Sequence, residues 1–257
     1  MLWIEAQSTP VITLLAFSVC YIVMGTIFCL AAVLSRRAVA QDLKAVAPTT
    51  LTPLGVILGL LIVFLASRVW TNLDRAIEYV GQEAGALRET VLLVDSLPPE
   101  VRTNVRQAIR KHLHLVETEE WPAMARRQAN LQSIALGLVE ALNAVLSFVP
   151  TQTNQHVAQE RAVVAIERAL EARRSRVRLS QSEIAPIQWI VIILLRILIL
   201  ITLAMVHIQS RLAMAVTMLI FSSAFAVCLV LLMVYDRPFG TGGFFIQPTV
   251  LRDIMPD

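Results

Sequence analysis

The residues best equipped for chemistry are few. His112 and His114 sit two apart, and Glu117, Glu119 and Glu120 follow them. Imidazoles and carboxylates of this kind hold metals or move protons. On a helix, positions two apart do not share a face, so the two rings diverge and no metal pair is expected. Cys20, Cys29 and Cys228 all lie in hydrophobic stretches and read as small apolar packing residues. No Cys-x-x-Cys pair, glycine-rich phosphate loop or nucleophile elbow is present. Without a convergent acid, base or nucleophile, the chain is not expected to be an enzyme or to need a cofactor or metal. One charge does stand out. Arg196 falls in the middle of a long apolar run. An arginine at that depth costs roughly 2.5–3.5 kcal/mol on insertion scales, so it should face protein or water. It serves an ion path or an inter-helix charge partner, or else makes a structural bond to a carbonyl or hydroxyl.

That apolar run is one of several. Hydrophobic residues make up 56% of the 257, and charged residues only 16%, above and below what a soluble domain carries. The charge is segregated into residues 72–183. The net charge of +3 is small and mixed in sign, and aromatic residues are scarce, so no nucleic-acid partner is expected. Four stretches, about 11–34, 51–70, 186–207 and 211–235, reach the length of about 20 apolar residues that a bilayer requires. The first lacks a basic leader and ends in Arg36-Arg37, so it reads as a retained span. The expectation is an all-α membrane protein with four transmembrane helices and a helical insertion, residues 72–183, between the second and third. Four spans put both termini and the insertion on one side. Ten basic residues flank the spans on that side against four, including Arg36, Arg37 and Lys44, on the other. That balance places the insertion and termini in the cytoplasm.

The insertion carries helical stripes. Leu73, Ile77, Val80, Ala84, Leu87, Val91 and Val94 alternate by four and three, a heptad pattern that continues span 2 as one long helix. Ser96 is the expected cap of a second helix, which runs to about Glu120 with Val101, Val105, Ile109, Leu113 and Val116 on one face. A third is expected over 122–148, striped by Leu131, Ile134, Leu138, Leu142 and Val145. A fourth is expected over 154–179, with Val157, Val163, Ile166 and Leu170 inward.

Span 2 is the most informative. Gly55 and Gly59 form a small face that permits close helix approach in lipid. One step around lie Thr52, Val56 and Leu60, four apart. If several copies surround an axis, that stripe makes an apolar constriction that gates by dewetting. Otherwise it meets lipid or neighbouring helices. Span 4 closes in Asp236-Arg237-Pro238-Phe239-Gly240, where Pro stops the helix and the glycine-rich residues 240–243 turn the chain. Phe244, Phe245 and Ile246 then offer an apolar tail for packing back onto the helices.

Three blocks carry a family resemblance: Leu58-Gly59, Ser67-Arg68 and Asn72-Leu73-Asp74-Arg75; Val80-Gly81-Gln82-Glu83-Ala84 through Leu97-Pro98; and Asp236-Arg237-Pro238-Phe239-Gly240. Together they resemble the bestrophins, and more closely the bestrophin-like family of bacterial membrane proteins. The resemblance covers nearly the whole chain. It implies a pentameric homo-oligomer in a bacterial inner membrane, with lipid and small ions as partners. It also implies a pore lined by the second helix, a hydrophobic neck at Thr52, Val56 and Leu60, and Arg68, Asp74 and Arg75 near the pore exit. The departures are a neck smaller than the bestrophin one and Thr241-Gly242-Gly243 in place of an acidic calcium-clasping run. The alternative is a non-conducting membrane scaffold or sensor that uses its cytoplasmic helices to bind partners.

Overall fold

The computed structural model describes residues 9–34, 40–130, 135–240 and 246–254. Arg36, Arg37, Leu131, Ile134, Phe244, Phe245 and residues 241–243 lie outside the described residues. The helices are α1 (Thr9–Leu34), α2 (Ala40–Val94), α3 (Pro99–Leu115), a π turn (Val116–Glu120), α4 (Trp121–Ala125), α5 (Leu136–Leu146), α6 (Thr153–Ser180), α7 (Pro186–Val206), α8 (Arg211–Tyr235) and α9 (Thr249–Arg252). No strand occurs among the described residues. Four helices, α1, α2, α7 and α8, are long and apolar enough to cross a membrane. The chain is an all-α membrane protein. It divides into two compact units, residues 1–71 with 183–236, and residues 72–182 with 237–257.

The first unit holds the four apolar helices. They are helical because a backbone in lipid must satisfy its hydrogen bonds internally. Leu58, Leu65 and Val69 of α2 share a buried cluster with Ile192 and Ile199 of α7 and with Phe225, Ala226 and Leu232 of α8. Val23, Met24, Ile27 and Phe28 of α1 pack on Leu200, Ala204, Met214 and Met218. At the start of α7, Pro186 occupies a position whose N–H has no helical partner anyway. The Gln188 side chain accepts from the Ala185 N–H (3.1 Å) and from Arg68 Nη1 of α2 (3.2 Å). Arg68 Nη2 also donates to the Glu183 carbonyl at 3.0 Å. Ser210 caps α8, accepting from the Ala213 N–H at 3.4 Å.

The second unit is built on the inward stripe of α2, where Val80, Ala84, Leu87 and Val94 are buried. Ile77 departs from that stripe. It is exposed, and Ala76 takes the buried position. Ser96 lies in the turn after α2, and α3 starts from Pro98 with Pro99 in its first turn. Two further expectations are corrected. The second helix does not end at Glu120. It widens into the π turn, whose larger ring closes when the Trp121 N–H reaches the Val116 carbonyl, and runs on through Pro122. Pro122 has no N–H to give and would clash with a carbonyl four residues back, and a π bulge relieves such a conflict. The single third helix is likewise two. α4 stops after Ala125, because Gln128 N–H bonds to the Ala123 carbonyl (2.8 Å) and Arg127 N–H to that of Met124 (2.9 Å). Arg127 takes the left-handed conformation, φ 56°, in this Schellman closure, a position usually given to glycine. In α6 the inward face is mostly alanine: Ala158, Ala162, Ala165, Ala169 and Ala172 join Ile166, while Val157 is exposed. Ile246, Leu251 and Ile254 of the tail pack on the same core.

Candidate functional site: an exposed stripe on α2 and a buried charge network

Thr52, Val56 and Leu60 all stand exposed on α2, Val56 and Leu60 at 56% and 55%. Their neighbours Ile57, Val63 and Phe64 are exposed as well, so this side of α2 meets no helix of its own unit. Gly55 and Gly59 are equally open. A Cβ added at either would meet nothing within 4 Å. They line a groove of about 750 Å³, with Val56 on one edge and Leu203, Phe221 and Phe225 of α7 and α8 opposite. The small face therefore borders an apolar groove. It is not consumed in packing within the chain.

Arg196 is 3% exposed within this unit. Its Nη2 donates to the Cys20 carbonyl of α1 at 2.5 Å, and its guanidinium lies 5.0 Å from the centre of the Phe225 ring. Of the two roles open to it, the geometry matches the structural bond to a carbonyl. Asp236 Oδ2 accepts from the Ile184 N–H at 3.5 Å, tying the end of α8 to the approach of α7.

Asp74 and Arg75 are exposed in the second unit. Phe239 is buried there, its ring 5.5 Å from that of Trp121 at 88°. Pro238 gives its carbonyl to the Ile246 N–H (2.9 Å), Gly240 donates to the Arg237 carbonyl (3.2 Å), and the chain turns.

Beside Trp121 lies a network that pattern reading missed. Glu83 of α2 is 0% exposed. Its two oxygens accept from Arg176 Nε (2.7 Å) and Nη2 (3.1 Å), and one also meets His112 Nε2 (3.0 Å). Arg176, itself wholly buried, reaches Glu120 of the π turn at 2.7 Å and stacks 5.3 Å from the Trp121 ring centre. Arg173 donates to the other Glu120 oxygen at 2.7 Å. Burial alone would push the Glu83 carboxyl up. The Arg176 charge, with help from His112, outweighs it and holds the group at about 2. A readable signal existed. Glu83 falls between Val80 and Leu87 on the inward stripe, and Arg173 and Arg176 fall on the alanine face of α6. His112 and His114 do diverge: the first is buried against Glu83, the second exposed. Among the described residues no three metal-ligating side chains converge.

The described residues form a helical membrane protein with four helices long and apolar enough to cross a bilayer. Residues 17–251 match the Bestrophin-like domain model, so the chain belongs to the Bestrophin-like family, which is known for ion channels. Solved structures share the fold. A crystal structure described as a membrane protein matches with a TM-score of 0.69 at 14% identity, over 93% of this chain and 96% of the other. A bacterial Bestrophin homolog from Klebsiella pneumoniae matches with 0.66 at 12% identity, over 91% and 95%. A tryptophan-to-alanine variant of a Klebsiella pneumoniae homolog gives 0.66 at 14%, over 93% and 94%. No curated protein matches the chain.

Proposed function

We propose that this chain is one subunit of a pentameric ion channel in a bacterial inner membrane, with α2 lining the conduction path and Thr52, Val56 and Leu60 forming its neck. The observation that carries this reading is the open stripe itself. A helix with a buried face (Leu58, Leu65, Val69) presents an uncharged, exposed row opposite the solvent-free core of its unit. Repeated around an axis, such rows make a ring that water wets poorly and ions cross only when it widens. The glycine-bordered groove beside the row leaves room for a neighbouring copy to approach closely. Charge balance favours a cytoplasmic helical unit and cytoplasmic termini. Asp74 and Arg75 then stand near the cytoplasmic exit, where their mixed signs give no single selectivity. Arg68, whose donors go to Gln188 and the Glu183 carbonyl, anchors α2 to α7 rather than meeting ions.

The test is current through planar bilayers containing the purified protein, with its oligomer mass measured by native mass spectrometry. Conductance should appear, and Val56→Ala or Leu60→Ala should raise it or remove its gating. A monomer that stays silent across salt and pH would return the chain to a non-conducting scaffold.

A further inference from the structure

The groove between α2, α7 and α8 runs along α2 from Leu51 to Ile62, with Leu203 of α7 and Phe221 and Cys228 of α8 among the facing walls. Its chemistry selects an apolar guest. No charged side chain lines it, and the Thr217 hydroxyl is already engaged with the Ala213 and Met214 carbonyls of its own helix, at 2.9 and 3.2 Å. In lipid an apolar guest is an acyl chain or another helix. Gly55 and Gly59 favour the helix. A mid-helix glycine costs about 1 kcal/mol against alanine, and a Cβ at either position would meet nothing within its own chain. Bare backbone lets a second helix approach closely, whereas an acyl chain packs on side chains as readily.

The same helix carries a matching guest on its other flank. At 3.6 residues per turn, Gly55 and Gly59 lie about 80° to one side of the Thr52, Val56, Leu60 row, and Ile57 and Phe64 about 90° to the other. Ile57 and Phe64 are 52% and 71% exposed, uncharged like the groove. A ring of identical copies around a membrane-normal axis holds every copy at one depth. A knob on one flank must then meet a hole at its own height on the other. Ile57 meets this condition, since it falls between Gly55 and Gly59. Phe64 meets it at the groove's far end. The Trp70 and Tyr235 rings touch, 6.4 Å between centres. Counting back from that pair along α2 and α8, which as spans 2 and 4 run in one direction, brings Phe64 level with Cys228.

We propose that Ile57 and Phe64 of one copy fill the groove of the next, a head-to-tail contact that repeats around the ring and leaves the Thr52, Val56, Leu60 row facing the axis. The contact rests on the multi-subunit channel reading and names the surfaces that assemble it. Like flanks facing each other would instead close a two-fold pair. The test introduces Phe64→Cys with the native Cys228 kept and Cys29 replaced by alanine; Cys20 is buried. Membranes holding the full-length protein are oxidised with copper phenanthroline and run on non-reducing gels, beside native mass spectrometry of the parent. A ladder of linked species beyond the dimer is expected, and Cys228→Ala should abolish it, since a disulfide forms only between closely apposed backbones. Gly59→Leu, which crowds the groove, should weaken the ladder about fivefold or more. Its helix content should match the parent, because the space at Gly59 is open within one chain. A dimer band alone that persists without Cys228, or a ladder untouched by Gly59→Leu, would overturn the proposal. No cross-link in a protein of intact oligomer mass would overturn the contact and leave the channel reading standing, whereas a monomer by mass would overturn both.

Discussion

Arg196 in the membrane unit and Arg176 in the helical unit are both buried, at 3% and 0% exposure, and they are compensated in different ways. Arg196 has a backbone carbonyl and a ring face, and its Nε has no hydrogen-bond partner among the described residues. Arg176 has two carboxylates, the Met124 sulfur and the Trp121 ring. The contrast follows from what each unit can afford to bury. An acidic partner for Arg196 would add a second charge at membrane depth, whereas in the helical unit Glu83 of α2 and Glu120 of the π turn meet Arg173 and Arg176 of α6. Three helical segments are thereby held at one point by charge geometry, while the membrane helices are held by shape.

The comparison breaks most readily at Glu83. Glu83→Ala leaves the wholly buried Arg176 with Glu120 as its one remaining carboxylate and should destabilise the protein by about 3–5 kcal/mol, read by chemical unfolding at fixed protein concentration. Next comes Gly137 at the start of α5, where an added Cβ would stand 2.5 Å from the Ala108 carbonyl and 2.7 Å from the His112 nitrogen. Gly137→Ala must move backbone against backbone and should cost about 1–3 kcal/mol, with Gly81→Ala as an open-space control in the same unit. Arg196→Met should change stability by less than about 1 kcal/mol, because one hydrogen bond is lost while a charge leaves the membrane. If Arg196→Met proves as damaging as Glu83→Ala, the membrane unit too depends on its charge.

Acid sharpens the same contrast. The Glu83 carboxyl sits lower in the folded protein, at about 2, than its ordinary 4.5. Its contribution is therefore complete above about 4.5 and is lost as pH falls toward 2. Acid unfolding of the helical unit should enter that window. The Glu83→Gln variant should show a shallower slope there.

The four apolar helices are legible because each repeats one requirement, an uninterrupted apolar run, for about 20 residues. The continuous α2 is legible because its heptad stripe begins where the apolar run stops. The helical unit is less so. Trp121-Pro122 looks like a helix start, since proline suits a first turn. Here the upstream helix widens by a π turn and keeps the proline inside. Arg127 takes a left-handed closure without the glycine that usually announces one. The charge network escaped because stripes were traced through apolar residues alone, so Glu83, Arg173 and Arg176 were left off them. On the α2 stripe, spacing alone left lipid, neighbour and pore open, and the family resemblance favoured the pore. Within one chain Val56 and Leu60 are exposed and nothing lies within 4 Å of a Cβ at Gly55 or Gly59, as any of the three would require.

The central claim is that this stripe faces a water-filled axis. Its most direct test is thiol modification during bilayer recording, in a background with Cys29 and Cys228 replaced by alanine. Val56→Cys and Leu60→Cys should lose current on adding a charged, membrane-impermeant thiol reagent. Leu14→Cys, on an exposed face of α1, should keep it. Loss of current at Leu14→Cys with none at Val56→Cys or Leu60→Cys would contradict the account.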